Sequence, residues 1–279
     1  MADTNNLGFP DHFLTFPDLK NSFPSSDTSD ILDSKSPYSD LKYDCSYLGQ
    51  EQFINKYKHN ATSSFSIFSL NIRSLPNKWD DFQNLISTLN TDNFKFTCLC
   101  LQEVWNLPLG NDFCINGYKS PFFRLRDGQR LNNNAGGGVA IWINDGYPAE
   151  VIEELSIFEP GVFESVFVKI QLNQHKYSII GNIYRPNTAP LASVSKFEDI
   201  LQGITSTIKT KYSGAYDIQI CGDLNLDFFR ADHDPHILSV LSNLLAEGHL
   251  PLVTKPTRIM ATSHTLLNQI TSFCLKQYP

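Results

Sequence analysis

Residues 218–229 read Ile-Gln-Ile-Cys-Gly-Asp-Leu-Asn-Leu-Asp-Phe-Phe. Ile218, Ile220 and Cys221 read as the end of a buried strand. Gly222 breaks the run, and Asp223 and Asn225 project together from the loop that follows. A carboxylate and an amide two residues apart at the mouth of a sheet can hold a water or a phosphate oxygen against a metal ion. The same pair can also form an Asx-turn that caps the strand. Other apolar runs end alike: residues 65–71 end in Asn71, residues 96–102 deliver Glu103, and residues 176–184 end in Tyr184. A carboxylate at the end of an apolar strand is costly to bury unpaired, although a solvated strand-end acid is the alternative. Strand ends on one side of a sheet converge, and loops there carry sites on a rigid scaffold. Two acids, two amides and a phenol make a hard, oxygen-rich site. Such a site favours Mg²⁺ or Mn²⁺, with one or two carboxylates per ion and phosphate supplying the rest. Neither zinc spacing nor a nucleophilic Ser or Cys arrangement is visible.

The elements that must position these residues follow from periodicity. Trp79, Phe82, Leu85, Ile86 and Leu89 recur at helical spacing. A second helix is expected from Ser195, where Ser195-x-x-Glu198 reads as a capping box. Its apolar stripe is Phe197, Ile200, Leu201, Ile204 and Ile208. Asp234 as N-cap, Pro235 at the first position and Gly248 past the end bracket a third. Its core face is Ile237, Val240, Leu241, Leu244 and Leu245. Residues 163–171 and 176–184 form a hairpin around Asn173-Gln174, and residues 139–143 another strand. Residues 117–130 interleave Lys119, Arg124, Arg126 and Arg130 with Tyr118, Phe122 and Phe123, which suits a phosphate-lined partner and a solvated loop alike. The glycines of residues 132–138 make a flexible loop; no Gly-Lys-Ser/Thr follows, so it is no P-loop. Residues 263–270 read as a loop and a short buried strand, with His264 on the exposed turn before it. His233 and His236 flank a helix start and face solvent.

The chain of 279 residues can bury a full α/β core. Its formal net charge of −7 argues against strong binding to DNA through bulk charge, so any nucleic-acid contact must come from local basic residues. Cys98-x-Cys100 alternates within an apolar run, as thiols of a strand do. With neither a signal peptide nor an apolar run near membrane length, the expectation is a reduced, intracellular protein, nuclear or cytoplasmic and not secreted. No membrane partner and no small organic cofactor are implied. Residues 1–60, rich in Ser, Asp and Pro, read as largely disordered, with a short helix within residues 47–57; the domain is residues 61–279.

Taken in order, SLNIRSLPNK, LQEVW, GGGVAIWI, NIYRPN, CGDLNLDF, KPTRI and SHTLLNQI resemble the endonuclease domain of non-LTR (LINE-type) retrotransposons. That domain belongs to the endonuclease/exonuclease/phosphatase superfamily, with the apurinic/apyrimidinic endonucleases as close relatives. The resemblance covers residues 65–273. It implies a four-layer α/β sandwich, two mixed sheets face to face with helices outside. It also implies a Mg²⁺-dependent (or Mn²⁺-dependent) enzyme that nicks DNA and, in a parent element, is joined to a reverse transcriptase. Under it Glu103 is the principal metal ligand, with Asn71 its hydrogen-bonded neighbour. Tyr184 faces the scissile phosphate, Asp223 activates or holds the attacking water, and Asn225 orients the phosphate. Arg124, Arg126, Arg258 and Ser263 are implied DNA contacts.

The pattern is broken where the family reads Leu-Ile-Asp-His-Ile and this chain reads Leu266-Leu267-Asn268-Gln269-Ile270. The family's Asp orients a catalytic histidine. Asn268 has nearly its shape without its charge, and in an unrelated protease triad that swap lowers turnover by about 10⁴. The histidine belongs to a later Ser-Asp-His segment, itself a strand, which this chain does not reach. Weak or absent activity is therefore expected. A catalytically dead remnant that binds nucleic acid or protein, and a phosphatase acting on small phosphoesters, are the alternatives.

Overall fold

Short apolar runs alternating with helical stripes build two sheets, each covered on its outer face by helices. The computed structural model describes residues 47–57, 65–92, 94–107, 112–126, 136–187, 193–253, 256–260 and 263–273. Most of the N-terminal segment expected to be disordered, Arg130, and residues 132–135 of the Gly-rich loop lie outside the described residues.

The strands are β1 (Ile67–Asn71), β2 (Cys98–Gln102), β3 (Phe122–Arg124), β4 (Val139–Ile143), β5 (Ala149–Val151), β6 (Phe158–Glu159) and β7 (Phe163–Asn173). They continue as β8 (Lys176–Tyr184), β9 (Asp217–Asp223), β10 (Leu250–Pro251), β11 (Arg258–Met260), β12 (Ser263–Thr265) and β13 (Asn268–Phe273). One sheet runs β1-β2-β4-β3, with β1 and β2 parallel. The other runs β10-β13-β9-β8-β7-β5, with β6 on β7, and pairs β8 parallel to β9 in an otherwise antiparallel arrangement. β11 and β12 make a separate two-stranded ribbon.

β2 and β4 are buried at every residue, because each has a core on both faces. Cys98 and Cys100 point into the layer between the sheets, with Ile141, Val166, Ile180 and Cys221. Leu99 and Leu101 point the other way, toward helices α1 (Gln50–Tyr57) and α2 (Leu75–Thr91). On the far side of the second sheet, helices α3 (Ser193–Lys211) and α4 (Pro235–Ala246) pack Phe197, Leu201, Ile204 and Val240 against Phe163 and Ile218. This is the four-layer sandwich expected. Among the described residues no helix is long and apolar enough to cross a membrane.

Several local expectations need correction. α3 begins at Ser193, so Ser195 lies inside it and there is no capping box. Glu198 instead accepts from Asn243 Nδ2 at 3.1 Å and ties α3 to α4. α4 is capped as expected, Asp234 accepting from His236 N and Ile237 N, and Gly248 follows it at φ 85°. Leu245, however, is 41% exposed and outside the core. His264 lies in β12 opposite Ile259, because the tail forms a hairpin and not a turn there. Finally, β9 does not stop at Gly222 but runs through it to Asp223. At φ 150° Gly222 crosses so close to β8 that a Cβ there would sit 1.8 Å from the Ile183 carbonyl oxygen. The glycine permits close approach; it does not end the strand.

Candidate active site

β1, β2, β8 and β9 all end at one rim, and β13 begins there, so Asn71, Glu103, Tyr184, Asp223, Asn225 and Asn268 come from five elements to one place. Just below, the rim is fastened by a buried polar bridge between the sheets. Gln102 Nε2 donates to Asn182 Oδ1 at 2.6 Å, and Asn182 Nδ2 to the carbonyls of Leu101 and Ala140, each at 2.9 Å.

Asn71 Nδ2 donates to Glu103 Oε1 at 2.7 Å and to Asp223 Oδ2 at 2.8 Å. One nitrogen thus joins two carboxylates, whose oxygens are no farther apart than those two bonds together. Tyr184 OH donates to Glu103 Oε1 at 3.1 Å, and Trp105 Nε1 to Glu103 Oε2 at 3.1 Å. Asp223 Oδ1 accepts from Asn225 N at 3.0 Å, so the Asx-turn forms, and it leaves Asp223 Oδ2 turned to Asn71. Asn225 Nδ2 donates to the Arg185 carbonyl at 2.7 Å, which leaves its second hydrogen for another acceptor. Asn268 stands opposite Asp223 in the β9–β13 register, its backbone N–H held by Thr257 Oγ1 at 3.1 Å.

The electrostatics follow from burial. Asp223 is pushed up to about 6, by desolvation first and by the nearby charge of Glu103, against the bonds from Asn71 and Asn225. Burial also pushes the Tyr184 phenol up, with Glu103 and Asp223 adding to it, so it stays protonated and donates. Burial lowers the pKa of the Arg185 guanidinium. Two neighbouring carboxylates, Asp223 buried and Glu103 half-buried, invite a cation. Asn71 Oδ1 and Asn268 Oδ1 are buried acceptors without a donor. The donor set therefore fits a hard ion that keeps several waters. Among the described residues no group of three or more His, Cys, Asp or Glu is placed to hold an ion, as an all-protein cage would require.

Of the expected DNA contacts, Arg126 is paired with the buried Glu164, its Nε donating at 2.6 Å. Arg124 ends β3 opposite Val139, Arg258 starts β11 opposite Thr265, and Ser263 starts β12 opposite Met260. Glu164, Trp105, Gln102 and Asn182 were not singled out from sequence. Each is a polar group within or beside an apolar run, which is the signal that could have found them.

The sequence matches no family model and no curated protein. The fold has solved counterparts. An AP endonuclease, LMAP from Leishmania major, superposes at TM-score 0.60 with 11% identity, covering 91% of this chain and 88% of that one. D. rerio TDP2, complexed with a single-strand DNA product, superposes at 0.51 with 16% identity over 78% and 86%. The 3′–5′ exonuclease NExo of Neisseria meningitidis gives 0.51 with 16% identity over 75% and 87%. The architecture is that of the endonuclease/exonuclease/phosphatase fold.

Proposed function

We propose that this chain is a divalent-metal-dependent phosphodiesterase of retrotransposon origin whose substrate is DNA and which, in its parent element, works beside a reverse transcriptase inside the cell. The observation that carries the reading is the sharing of Asn71 Nδ2 between Glu103 and Asp223. The ordered motifs support the retrotransposon origin. The DNA-bound TDP2 with the same fold supports the substrate class.

Glu103, Asp223 and the orphaned Asn71 Oδ1 would hold Mg²⁺ or Mn²⁺. When bound, such an ion stabilises charge that builds on phosphate oxygens during in-line attack. The protein's own groups do the rest. Asp223 is a carboxylate raised toward neutrality, suited to take a proton from water. The second hydrogen of Asn225 Nδ2 is a donor for a phosphate oxygen, and the Tyr184 phenol, whose one hydrogen goes to Glu103 Oε1, would turn to such an oxygen once an ion takes that carboxylate. Asn268 lies beside Asp223 without a charge, so it cannot stabilise an imidazolium, and turnover is low.

A supercoiled-plasmid nicking assay tests the reading. Slow nicking with Mg²⁺, absent with EDTA and in Glu103→Ala, is expected. Nicking that survives in Glu103→Ala would overturn it, as would phosphate release from small phosphoesters with no nicking. Robust nicking by the unmodified chain would overturn the assigned effect of Asn268.

A further inference from the structure

We infer that Glu164 is a positioning residue for Glu103, acting through the glycines that precede β4 and through Trp105. The inference rests on the reading of Glu103 as a metal ligand.

Glu164 is the second residue of β7 and is 1% exposed. It lies opposite Tyr184 in the β7–β8 register, under the rim. A carboxylate in that position is costly unless its lone pairs are occupied. Arg126 supplies a guanidinium, and Gly138 donates its backbone N–H to the other oxygen. The glycine segment held this way faces the turn after β2. Gly138 O accepts from Val104 N at 3.2 Å and Gly137 O from Trp105 N at 2.8 Å. Trp105 Nε1 in turn donates to Glu103 Oε2.

The turn needs such a hold. Glu103 and Trp105 have φ values of 54° and 58°, a region that non-glycine residues adopt at a cost and keep only when neighbours dictate it. Gly137, at φ 91°, passes so close to Arg126 that a Cβ would lie 2.4 Å from the guanidinium. The buried acid thus sets the arginine, the arginine and acid set the glycines, and the glycines set the two strained residues that present Glu103. An ion pair serving stability alone would have no reason to connect to the ligand in this way.

The indole of Trp105 reports directly on the other end of this chain, because it is bonded to the carboxylate that would receive the ion. Mg²⁺ alone is titrated into the whole chain in EDTA-stripped buffer, and tryptophan emission is followed, with Trp105→Phe identifying its share. The unmodified chain is expected to give a saturable response that Glu103→Gln abolishes. Glu164→Gln is expected to raise the Mg²⁺ Kd by about 10- to 100-fold, the usual effect of losing a support behind a ligand, while near-UV circular dichroism stays native. Arg126→Lys keeps the charge beside Glu164 but removes the Nε donor. It is expected to weaken Mg²⁺ several-fold, and it decides the matter should Glu164→Gln not fold. A Kd unchanged in a folded Glu164→Gln, or in Arg126→Lys when Glu164→Gln does not fold, overturns the inference and leaves the metal reading standing. No response in the unmodified chain overturns the metal reading itself.

Discussion

The rim that gathers Glu103 and Asp223 and the layer under α3 and α4 are built to opposite rules. Among the described residues six non-glycine residues have positive φ, and five of them, Arg73, Ser74, Glu103, Trp105 and Asn225, flank the rim. Such positions cost on the order of 1 kcal/mol each. The rim also holds the buried carboxylate of Asp223 beside the half-buried Glu103, and buried amide oxygens without donors. Under α3 and α4 the side chains are apolar and close-packed, Phe163 and Phe197 meeting at 5.6 Å between ring centroids. The lesson is that one region stores unfavourable arrangements and the other supplies the stability that tolerates them.

The hardest test of that division falls on the strand that carries both burdens. β9 supplies Ile218 and Ile220 to the layer under the helices and Asp223 to the rim. Gly222→Ala would place a methyl 1.8 Å from the Ile183 carbonyl, against backbone that cannot step aside without parting β8 from β9. No soluble folded chain, or a loss above about 4 kcal/mol in urea unfolding, is expected. Native stability in this variant would mean that the two strands are not held as close as the site needs. Phe197→Ala comes next. It removes a fully buried ring far from the rim and should cost about 3–5 kcal/mol, yet leave the Mg²⁺ Kd of the folded fraction unchanged. A weakened Kd there would break the separation of the two regions.

Acid should act on the two regions in opposite directions. His249, 2% exposed beside Thr271, is pushed down to about 4, by burial first and then by the charge of Lys209. Its folded form binds a proton more weakly than the unfolded chain does, near the ordinary 6.5. Its stabilising share is therefore full above about pH 6.5 and is lost as pH falls toward 4. Asp223 is raised to about 6 from 3.8, so its folded form binds the proton more tightly. Its buried charge opposes folding at neutral pH, and that opposition is relieved as pH falls through 6. Each gap corresponds to on the order of 3 kcal/mol. In EDTA, urea midpoints between pH 4 and 7 should fall steeply with acid in Asp223→Asn, rise in His249→Gln, and change least in the unmodified chain. Parallel profiles for the two variants would show that the regions do not titrate independently.

How much of this could be read in the sequence divides along the same line. Strand ends and helix stripes were legible, because period and polarity are local properties, and they led to Asn71, Glu103, Tyr184 and Asp223 at one rim. Asp234, Pro235 and Gly248 announced α4 for the same reason. The polar supports behind these residues were not legible. Glu164 reads as a stray charge in an apolar run until Arg126 and Gly138 are seen beside it, and Gln102 until Asn182 is. Those partners are 38, 26 and 80 residues away. Gly222 misled because a glycine that ends a strand and one that lets two strands touch look the same in sequence.

The smallest effect tests the boundary of the apolar layer. On a helical wheel Leu244 and Leu245 both fall within reach of the core stripe, and pattern alone assigns both to it. In the fold Leu244 is 5% exposed among the side chains under α3 and α4, whereas Leu245 is 41% exposed. The stripe is narrower than its hydrophobicity suggests, because α4 meets the layer along Ile237, Val240, Leu241 and Leu244. Leu244→Ala should cost about 2–5 kcal/mol. Leu245→Ala should stay within about 0.5 kcal/mol, since truncating a solvated side chain removes little buried area and alanine favours the helix. Losses of equal size in urea unfolding would mean that α4 is rolled about its axis relative to this description. The layer whose stability the strained rim depends on would then extend one residue farther than the exposures allow.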